Sequence, residues 1–168
     1  MLKRAFRSVG GLASAAAVAA ALSLVGCGSS TPDPTIVGMS ISATGSINPN
    51  SSSEPSPVVL RIYQLKSDSA FKAAEFSEIF YGDRKVLGGD LLGQKEYNVK
   101  PGDKLTYEDT VSPETRHIGV VAGFRDIDNA TWRLVDVAAP ESENTWILNV
   151  DTLSISFQKQ GSSWWNPF

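Results

Sequence analysis

Cysteine and histidine, which often carry metal, redox or proton-transfer chemistry, are nearly absent from this chain. Its 168 residues include one cysteine, Cys27, and one histidine, His117. A single cysteine excludes an intramolecular disulfide, and one histidine with one thiol excludes a typical zinc site. No G-x-S-x-G motif marks a serine nucleophile. The sequence therefore predicts a protein that is not an enzyme and holds no metal or organic cofactor.

A short acidic stretch resembles the start of a calcium-binding loop but does not complete it. Asp126, Asp128 and Asn129 are suitable ligands, but Thr131 and Val137 occupy positions where an EF-hand needs glycine and glutamate. The stretch is therefore interpreted as a turn held by its own Asp and Asn side chains.

Acidic residues are also missing from the chain before Asp33. Lys3, Arg4 and Arg7 make the start basic, and an apolar run of Ala, Val and Leu follows from 12 to 25. A basic start, a short apolar run and small residues after it are typical of a secretory signal peptide. The run is too short for a confident membrane span, which needs roughly 20 apolar residues.

The cysteine stands directly after this run. Leu24-Val25-Gly26-Cys27 resembles the bacterial lipobox, in which the cysteine becomes the first mature residue and is acylated. Residues 1–26 are then a lipoprotein signal peptide that is removed, and acyl chains on Cys27 are the only attached groups. Gly28 takes the sorting position, where an Asp commonly retains lipoproteins in the inner membrane, so the outer membrane is favoured. The alternative is an ordinary signal peptide with an incidental cysteine.

The charge of the remaining chain is acidic. The whole sequence has 15 basic and 18 acidic residues, and removal of 1–26 takes away three basic ones, leaving 12 and 18, a net charge of −6. This balance argues against nucleic-acid binding, which usually shows a basic surface. About 140 mature residues suit one domain with its own core.

Period-2 patterns dominate the mature chain after a small, polar tether at 27–35. Val37, Met39, Ile41 and Ala43 alternate with small or polar residues, which predicts a half-buried strand. A second strand is predicted at Val58 to Leu65, and further strands follow the turn at Pro101-Gly102. Further patterns of this kind are YNV, KLTYEDTV, HIGVVAGFRD, TWRLVDV, TWILNV and TLSISFQ, with a turn or bulge near Asp151.

One helix is predicted near 69–81. Asp68 or Ser69 can cap its start, Gly82 can end it, and its apolar face comprises Ala73, Phe76, Ile79 and Phe80. A further helical turn is predicted at Asp90-Leu91-Leu92. In the strand HIGVVAGFRD, one face is apolar, and the small residues Gly119 and Gly123 on the other permit close packing.

These elements predict an all-β fold, a β-sandwich of about seven to eight strands at 36–160 with a helical insertion after the second strand. The connection between the first two strands, INPNSSSEPSP from Ile47 to Pro57, is longer than the two to five residues of a tight hairpin. Composition alone favours a surface loop without a function.

The ordered motifs are similar to those of the outer-membrane lipoprotein of type VI secretion systems, the TssJ (SciN-like) family. The lipobox and Asn48-Pro49 carry this resemblance together with the following segments: PVVLRIYQL at 57–65, FKAAEF at 71–76, IF at 79–80, DLL at 90–92, KPG at 100–102, IGVVAGFRD at 118–126 and WR at 132–133.

The resemblance implies a transthyretin-like β-sandwich, lipid-anchored on the periplasmic face of the outer membrane. It also implies binding to the periplasmic C-terminal region of TssM, in a membrane complex that includes TssM and TssL. Family members dock through the loop between the first two strands. The implied partner-binding residues here are Asn48, Pro49, Asn50, Ser51, Ser52, Ser53, Glu54, Pro55 and Ser56.

The sequence leaves two alternative functions possible and does not decide the role of the C-terminal tail. A periplasmic carrier would bind a small apolar ligand in a cavity of the sandwich, and a transthyretin-like hydrolase would need His117 in an open cleft. The aromatic C-terminal tail at 161–168 contains Trp164, Trp165 and Phe168. It either packs over an open edge of the sandwich or contacts a membrane interface or a partner.

Overall fold

A computed structural model describes residues 32–160 as two packed β-sheets with a helical insertion. Cys27, Gly28 and the tail 161–168 lie outside the described residues. The strands and helices are β1 Thr35–Ala43, β2 Val58–Leu65, α1 Ser69–Ala73, α2 Phe76–Leu87, β3 Leu91–Val99, β4 Lys104–Val111, β5 His117–Gly123, β6 Arg133–Val137, β7 Glu143–Val150 and β8 Ile155–Gln160. A 3₁₀ turn, Gly88–Asp90, precedes β3.

Each sheet has four strands. The first has the order β4-β1-β7-β8 and the second the order β3-β2-β5-β6. All pairs are antiparallel except β1 with β7, which run parallel. The predicted all-β sandwich with a helical insertion after the second strand is confirmed, with eight strands. Among the described residues, no helix has both the length and the apolar character needed to cross a membrane.

The main core lies between the sheets and follows the predicted alternation. In β1, Val37, Met39 and Ile41 are almost fully buried, as the period-2 pattern requires. From β7, Trp146 is fully buried in the same core and donates its indole N–H to Asp136 at 2.8 Å. A buried Trp usually needs such a partner for its polar group.

A second apolar cluster joins the helices to the outer face of the second sheet. A Cβ atom added to Gly119 would lie only 2.7 Å from the ring of Phe71. A Cβ atom added to Gly123 would lie 2.6 Å from the ring of Phe80. The prediction that these glycines permit close packing is therefore confirmed, and the approaching groups are aromatic rings from the insertion.

The predicted single helix is wrong in three details. Its chain forms two helices, because Ala74 between them is extended, with φ −67° and ψ 144°. Ala73 is exposed, and Phe71 takes the buried position expected of it. Gly82 does interrupt the helix, with non-helical φ −139° and ψ 27°, but it does so as a kink and not as a left-handed stop, and α2 continues beyond it to Leu87 and stops at Gly88 with φ 51°.

The helix start also differs from the prediction. Asp68 stands at the N-cap position of α1, but its side chain makes no cap hydrogen bond. It pairs with Lys72 one turn later, and the hydrogen bond from Lys72 holds the pKa of the Asp68 carboxyl below its usual value. Ser69, the other predicted cap, is the first residue of α1.

Of the two predictions for the segment after the helices, one is wrong and one is confirmed. The helical turn predicted at 90–92 is found two residues earlier, at Gly88–Asp90, because Leu91 and Leu92 already belong to β3. The turn at Pro101-Gly102 is confirmed, with Gly102 in the left-handed region at φ 81°. It joins strands of different sheets, since β3 pairs with β2 and β4 pairs with β1.

The strand directions give the sandwich two distinct ends. The tether pole carries the start of β1 at Thr35 and the end of β8 at Gln160. The loop pole carries the connections β1–β2, β3–β4, β5–β6 and β7–β8 at residues 44–57, 100–103, 124–132 and 151–154. Since β1 spans nine residues, the poles are about 30 Å apart.

Candidate functional site

The predicted partner-binding loop lies at the loop pole and has a closed base. Ile47 is fully buried, and its carbonyl accepts a hydrogen bond from the backbone N–H of Ser56 at 3.1 Å. The residues between them therefore project from the sandwich as a compact excursion whose two ends are joined.

Asn48 fixes the base to the rest of the domain. Its side-chain amide donates to the carbonyl of Pro57 at 2.7 Å, and its Oδ1 accepts from the backbone N–H of Arg125 at 2.8 Å. Its own backbone N–H donates to the carbonyl of Thr152 at 2.8 Å. Asn48 has φ 48°, a left-handed conformation that asparagine tolerates better than most residues.

Asn50 organises the tip. Its Oδ1 accepts from the backbone N–H groups of Ser52 at 2.9 Å and Glu54 at 3.0 Å, and its Nδ2 donates to Glu54 Oε2 at 3.0 Å. The backbone N–H of Ser53, at φ 62°, donates to the carbonyl of Asn50 at 2.9 Å. The tip thus has a defined conformation without a bound partner, which lowers the entropy cost of binding.

Only part of the predicted contact set is accessible. The exposed residues of the loop are Ser51, Ser52, Ser53, Glu54 and Pro55. Pro49 and Asn50 are half-buried. Asn48 and Ser56 are buried at 2% and 7% exposure, so their side chains hold the loop in place and are not offered to a partner.

The β7–β8 connection supports the loop from the side. Ser46 and Thr152 share a hydroxyl–hydroxyl hydrogen bond of 3.0 Å, and the Thr44 hydroxyl donates to Asp151 Oδ1 at 3.1 Å. The backbone N–H of Thr152, followed by the Thr44 hydroxyl, lowers the pKa of the Asp151 carboxyl. Arg125, Thr152 and Asp151 were invisible as supports of the loop from sequence, because they join it only through tertiary contacts.

The β5–β6 connection also belongs to this pole. Asn129 donates its side-chain amide to both carboxylate oxygens of Asp126, each at 3.0 Å. The interpretation as an Asx-held turn is therefore confirmed. Among residues 32–160, no group of three or more His, Cys, Asp or Glu side chains is arranged to hold a metal ion.

Exposed charge at the loop pole is mixed, with four acidic and three basic side chains. Its exposed carboxylates are Glu54, Asp126, Asp128 and Asp151, and its exposed basic residues are Lys100, Lys104 and Arg125. Glu54 is the one charged side chain among the exposed residues 51–55, so the charge that the projecting loop offers to a partner is negative. A basic surface on the partner would be attracted to it.

The chain matches the sequence model of a family described as "Type VI secretion lipoprotein, VasD, EvfM, TssJ, VC_A0113" over residues 35–153. This match covers well over half of the chain and almost the whole described domain. The chain belongs to the TssJ family of type VI secretion lipoproteins.

Solved structures agree with this assignment. The chain is similar to the T6SS lipoprotein TssJ1 from Pseudomonas aeruginosa, with 32% identity and a TM-score of 0.74, over 77% of this chain and 98% of that one. It is also similar to a chain of a structure described as "Type VI membrane complex", with 27% identity and a TM-score of 0.66, over 75% and 99%. None of the curated protein sequences matches it significantly.

A third similar chain comes from a structure described as "T6SS protein TssM C-terminal domain (869-1107) from EAEC". Identity is 26% and the TM-score 0.62, over 74% of this chain and 98% of that chain. Since part of a 168-residue protein covers nearly all of the matched chain, the matched chain is far shorter than the stretch 869–1107.

The rival hydrolase hypothesis is disfavoured by the surroundings of His117. In this TssJ family member, His117 begins β5 with its side chain 22% exposed, and its Nε2 lies 3.6 Å from Asp68 Oδ2. Its Nδ1 is buried. The imidazole is therefore enclosed between the sheet and the start of α1, and does not stand in an open cleft.

The carrier hypothesis needs a cavity between the sheets. In this TssJ-family domain that space holds large, fully buried side chains from both sheets, among them Trp146, Met39, Ile62 and Leu148. A pocket lined by Arg84, Gly88 and residues 91–94 lies at the outer edge strand β3. That position does not favour a sandwich-cavity carrier.

Proposed function

We propose that this protein is the outer-membrane lipoprotein of a type VI secretion membrane complex. Acyl chains on Cys27 hold it on the periplasmic face of the membrane, with residues 1–26 removed and Gly28 directing it to the outer membrane. It binds the periplasmic C-terminal region of TssM, in a complex with TssM and TssL, through the exposed residues 51–55 of the loop. The TssJ-family fold and sequence support the first part of this proposal.

The observation that carries the docking assignment is the preorganised loop at the pole opposite the tether. The tether enters at Thr35 and runs into β1, and β1 leads directly to the loop about 30 Å away. A protein held at one membrane by its tether can therefore extend this loop about 30 Å beyond the point where the tether enters. An inner-membrane partner reaching across the periplasm meets the loop pole first.

The structures similar to this chain support the choice of partner. The structure whose description names the TssM C-terminal domain contains a chain with this fold. A second structure with such a chain is described as a type VI membrane complex. The matched chain in the first is too short to be the named TssM stretch. A second, TssJ-like chain beside the TssM domain accounts for its length and its fold.

The chemistry of the tip favours recognition through polar groups. Its serines and Glu54 supply hydroxyl and carboxylate groups on an ordered backbone, and no aromatic or arginine anchor stands among residues 48–56. Binding would therefore depend on hydrogen bonds and on charge, with the Glu54 carboxylate facing a basic group of TssM. Salt should weaken it by slowing association.

The docking site is tested with the full-length acylated protein, purified in detergent, and the periplasmic C-terminal region of TssM. Asn50→Ala removes three tip hydrogen bonds, and Glu54→Lys reverses the tip charge. Each should weaken the affinity about tenfold, or about 1.4 kcal/mol, as measured by biolayer interferometry.

Two exposed residues of the outer edges supply matched controls. Gln94→Ala in β3 truncates an amide side chain and Glu108→Lys in β4 reverses a carboxylate, both away from the loop pole. They should leave the affinity unchanged. Wild-type affinity in both loop variants would reject the docking loop, and the family assignment would stand.

The anchor is tested separately. Mass spectrometry of the mature N-terminal peptide should find Cys27 first and acylated, and Cys27→Ser should remove the protein from the outer-membrane fraction. An unmodified Cys27 within a longer mature chain would reject the anchor.

A further inference from the structure

The docking loop offers a partner less surface than a specific interface usually needs. Its exposed residues are 51–55, whereas a stable protein–protein interface buries about 800 Å² and about 20–30 residues on each side. None of the exposed loop residues is a tryptophan, tyrosine or arginine, the side chains that most often supply the binding energy. A partner that docks on the loop must therefore also cover neighbouring surface.

The outer face of the second sheet adjoins the loop. Val59, the second residue of β2 after the loop, is paired with Gly123 at the end of β5. The ring of Phe80 packs over Gly123, and two residues further the backbone N–H of Arg125 donates to Asn48 at the base of the loop. The ring of Phe80 therefore lies at the end of the sheet from which the loop projects.

Four aromatic side chains meet around this ring. Phe76 stacks on Phe80 with ring centroids 4.9 Å apart, and Trp132 meets Phe76 edge to face at 5.2 Å. Tyr81 meets Phe80 edge to face at 5.3 Å. Phe76, Phe80, Tyr81 and Trp132 thus form a continuous aromatic surface, contributed by α2 and by the residue before β6.

Two arginines hold the aromatic surface in place. The guanidinium of Arg61 lies over Phe80, 4.5 Å from the ring centroid, and that of Arg133 lies over Trp132 at 4.6 Å. Arg61 also donates to the carbonyl of Phe80, and to Glu96 at 2.7 Å. These rings are positioned before a partner binds, so binding costs little side-chain entropy.

Tyr81 is the member of the aromatic surface whose position the fold does not explain. It is 80% exposed, whereas Phe76, Phe80 and Trp132 are half-buried. Packing of α2 on the sheet uses other residues, such as the fully buried Ile79. A tyrosine brings a large rigid ring and a hydroxyl, so under a partner it can pack against apolar groups and form a hydrogen bond.

We propose that the partner docked on the loop also covers the aromatic surface, with Tyr81 as the anchor of this second contact. The inference rests on the proposed docking of TssM through residues 51–55. The matching surface of TssM is apolar and carries a hydrogen-bond acceptor for the Tyr81 hydroxyl. The loop then supplies polar groups and charge, and the helical insertion supplies the apolar area that the loop lacks.

Affinity is measured by biolayer interferometry with the full-length acylated protein and the periplasmic C-terminal region of TssM. Tyr81→Ser removes the exposed ring and should weaken the affinity about tenfold. Val137→Ser is the matched control, because it truncates the other large hydrophobic side chain that is exposed in the described domain, at 56%, and lies at the tether pole. It should leave the affinity unchanged, and urea unfolding should show that both variants are folded.

Cross-linking reports the contact without relying on a change in affinity. Replacement of Tyr81 by p-benzoylphenylalanine should give a photo-cross-link to the TssM region, and the same replacement of Val137 should give none. Wild-type affinity in Tyr81→Ser, or no cross-link from position 81, would overturn the aromatic contact.

The loop variants separate this inference from the docking proposal on which it rests. Weaker binding in Asn50→Ala and Glu54→Lys, together with wild-type affinity in Tyr81→Ser, would overturn the aromatic contact and leave the loop as the docking site. Weaker binding in Tyr81→Ser alone would reject docking on the loop and retain the aromatic surface as the contact.

Discussion

The side chain of Asn48 accepts a hydrogen bond of 2.8 Å from the backbone of Arg125, a residue 77 positions later in the chain. The contact joins the β1–β2 loop to the β5–β6 connection, and so links the two sheets at the loop pole. With the bonds to Pro57 and Thr152, it makes the base of the loop part of the folded domain. The tip can therefore be changed without unfolding the domain, but the base cannot.

Replacement of Asn48 should destabilise the whole domain. Asn48→Ala leaves the Pro57 carbonyl and the Arg125 N–H without partners and puts alanine at φ 48°. Unpaired buried groups and left-handed strain together should lower the free energy of unfolding by about 3 kcal/mol. Urea denaturation measures this.

The comparison for this variant is Asn50→Ala, which removes tip hydrogen bonds from a half-buried residue. It should change the free energy of unfolding by less than about 1 kcal/mol. Equal stability losses in the two variants would show that base and tip are not energetically distinct.

Gly119 should not tolerate a side chain. In Gly119→Ala the new Cβ would stand 2.7 Å from the ring of Phe71, and overpacking of this kind costs about 1–3 kcal/mol. Gly89→Ala is the control, because no atom lies within 4 Å of the corresponding position. Chemical denaturation should show the loss in the first variant only.

A double variant checks the cause of this loss. Phe71→Ala removes the ring, so Gly119→Ala should cost little more in that background. Full additivity of the two losses would contradict the steric explanation.

Arg133 should hold the junction of the two helices. Its Nη1 donates to the carbonyls of Phe71 at 2.8 Å and Ala74 at 2.6 Å, and its guanidinium lies over the ring of Trp132. Arg133→Ala should lower the free energy of unfolding by about 2 kcal/mol and increase amide exchange in α1 by roughly tenfold. Arg84→Ala, an exposed change on α2, should do neither, and unchanged exchange in Arg133→Ala would reject this role.

Alkaline pH should destabilise the domain through two buried tyrosines. Burial is the main cause that raises the pKa of Tyr63 and of Tyr107 to about 12, whereas an unfolded chain ionises tyrosine near about 10. Below about pH 10 these tyrosines are protonated in both the folded and the unfolded protein. Between about pH 10 and 12 they ionise only in the unfolded protein, and this ionisation lowers the free energy of the unfolded state. The free energy of unfolding should therefore fall as pH rises from about 10 to 12.

Substitution identifies the groups responsible. Tyr63→Phe and Tyr107→Phe should each reduce this alkaline loss, and Tyr81→Phe, at an 80% exposed position, should not. Unfolding by urea at pH 9 and pH 11 makes the comparison. An alkaline loss that is unchanged in the first two variants would assign it to other groups.

Local pattern was sufficient to predict the strands. The alternation in β1 and the β-branched run in β2 identify their buried faces, and the observed bounds of β2, Val58–Leu65, match the prediction. Gly119 and Gly123 indicated that another part of the chain packs closely against β5, because glycine within a strand often marks such a contact. The sequence did not say which rings would approach.

The helix break shows why other features escaped prediction. The predicted apolar face was found by counting helical turns continuously from Ala73 to Phe80. Because Ala74 is extended, the residues before and after it belong to two helices whose faces are set independently. The available local signal was Glu75 with Glu78, which form a reciprocal capping box at the start of α2. The partners of Asn48 could not be found in this way, because they depend on tertiary contacts from distant segments.

The position of β1 has a mechanical consequence. This strand is bonded along its length to β4 on one side and to β7 on the other, with the tether at its first residue and the loop after its last. Tension between the tether and a partner on the loop acts parallel to β1, at right angles to its hydrogen bonds. Those bonds are loaded together in shear and cannot open one after another, so β1 resists a pull along its axis better than an edge strand bonded on one side only.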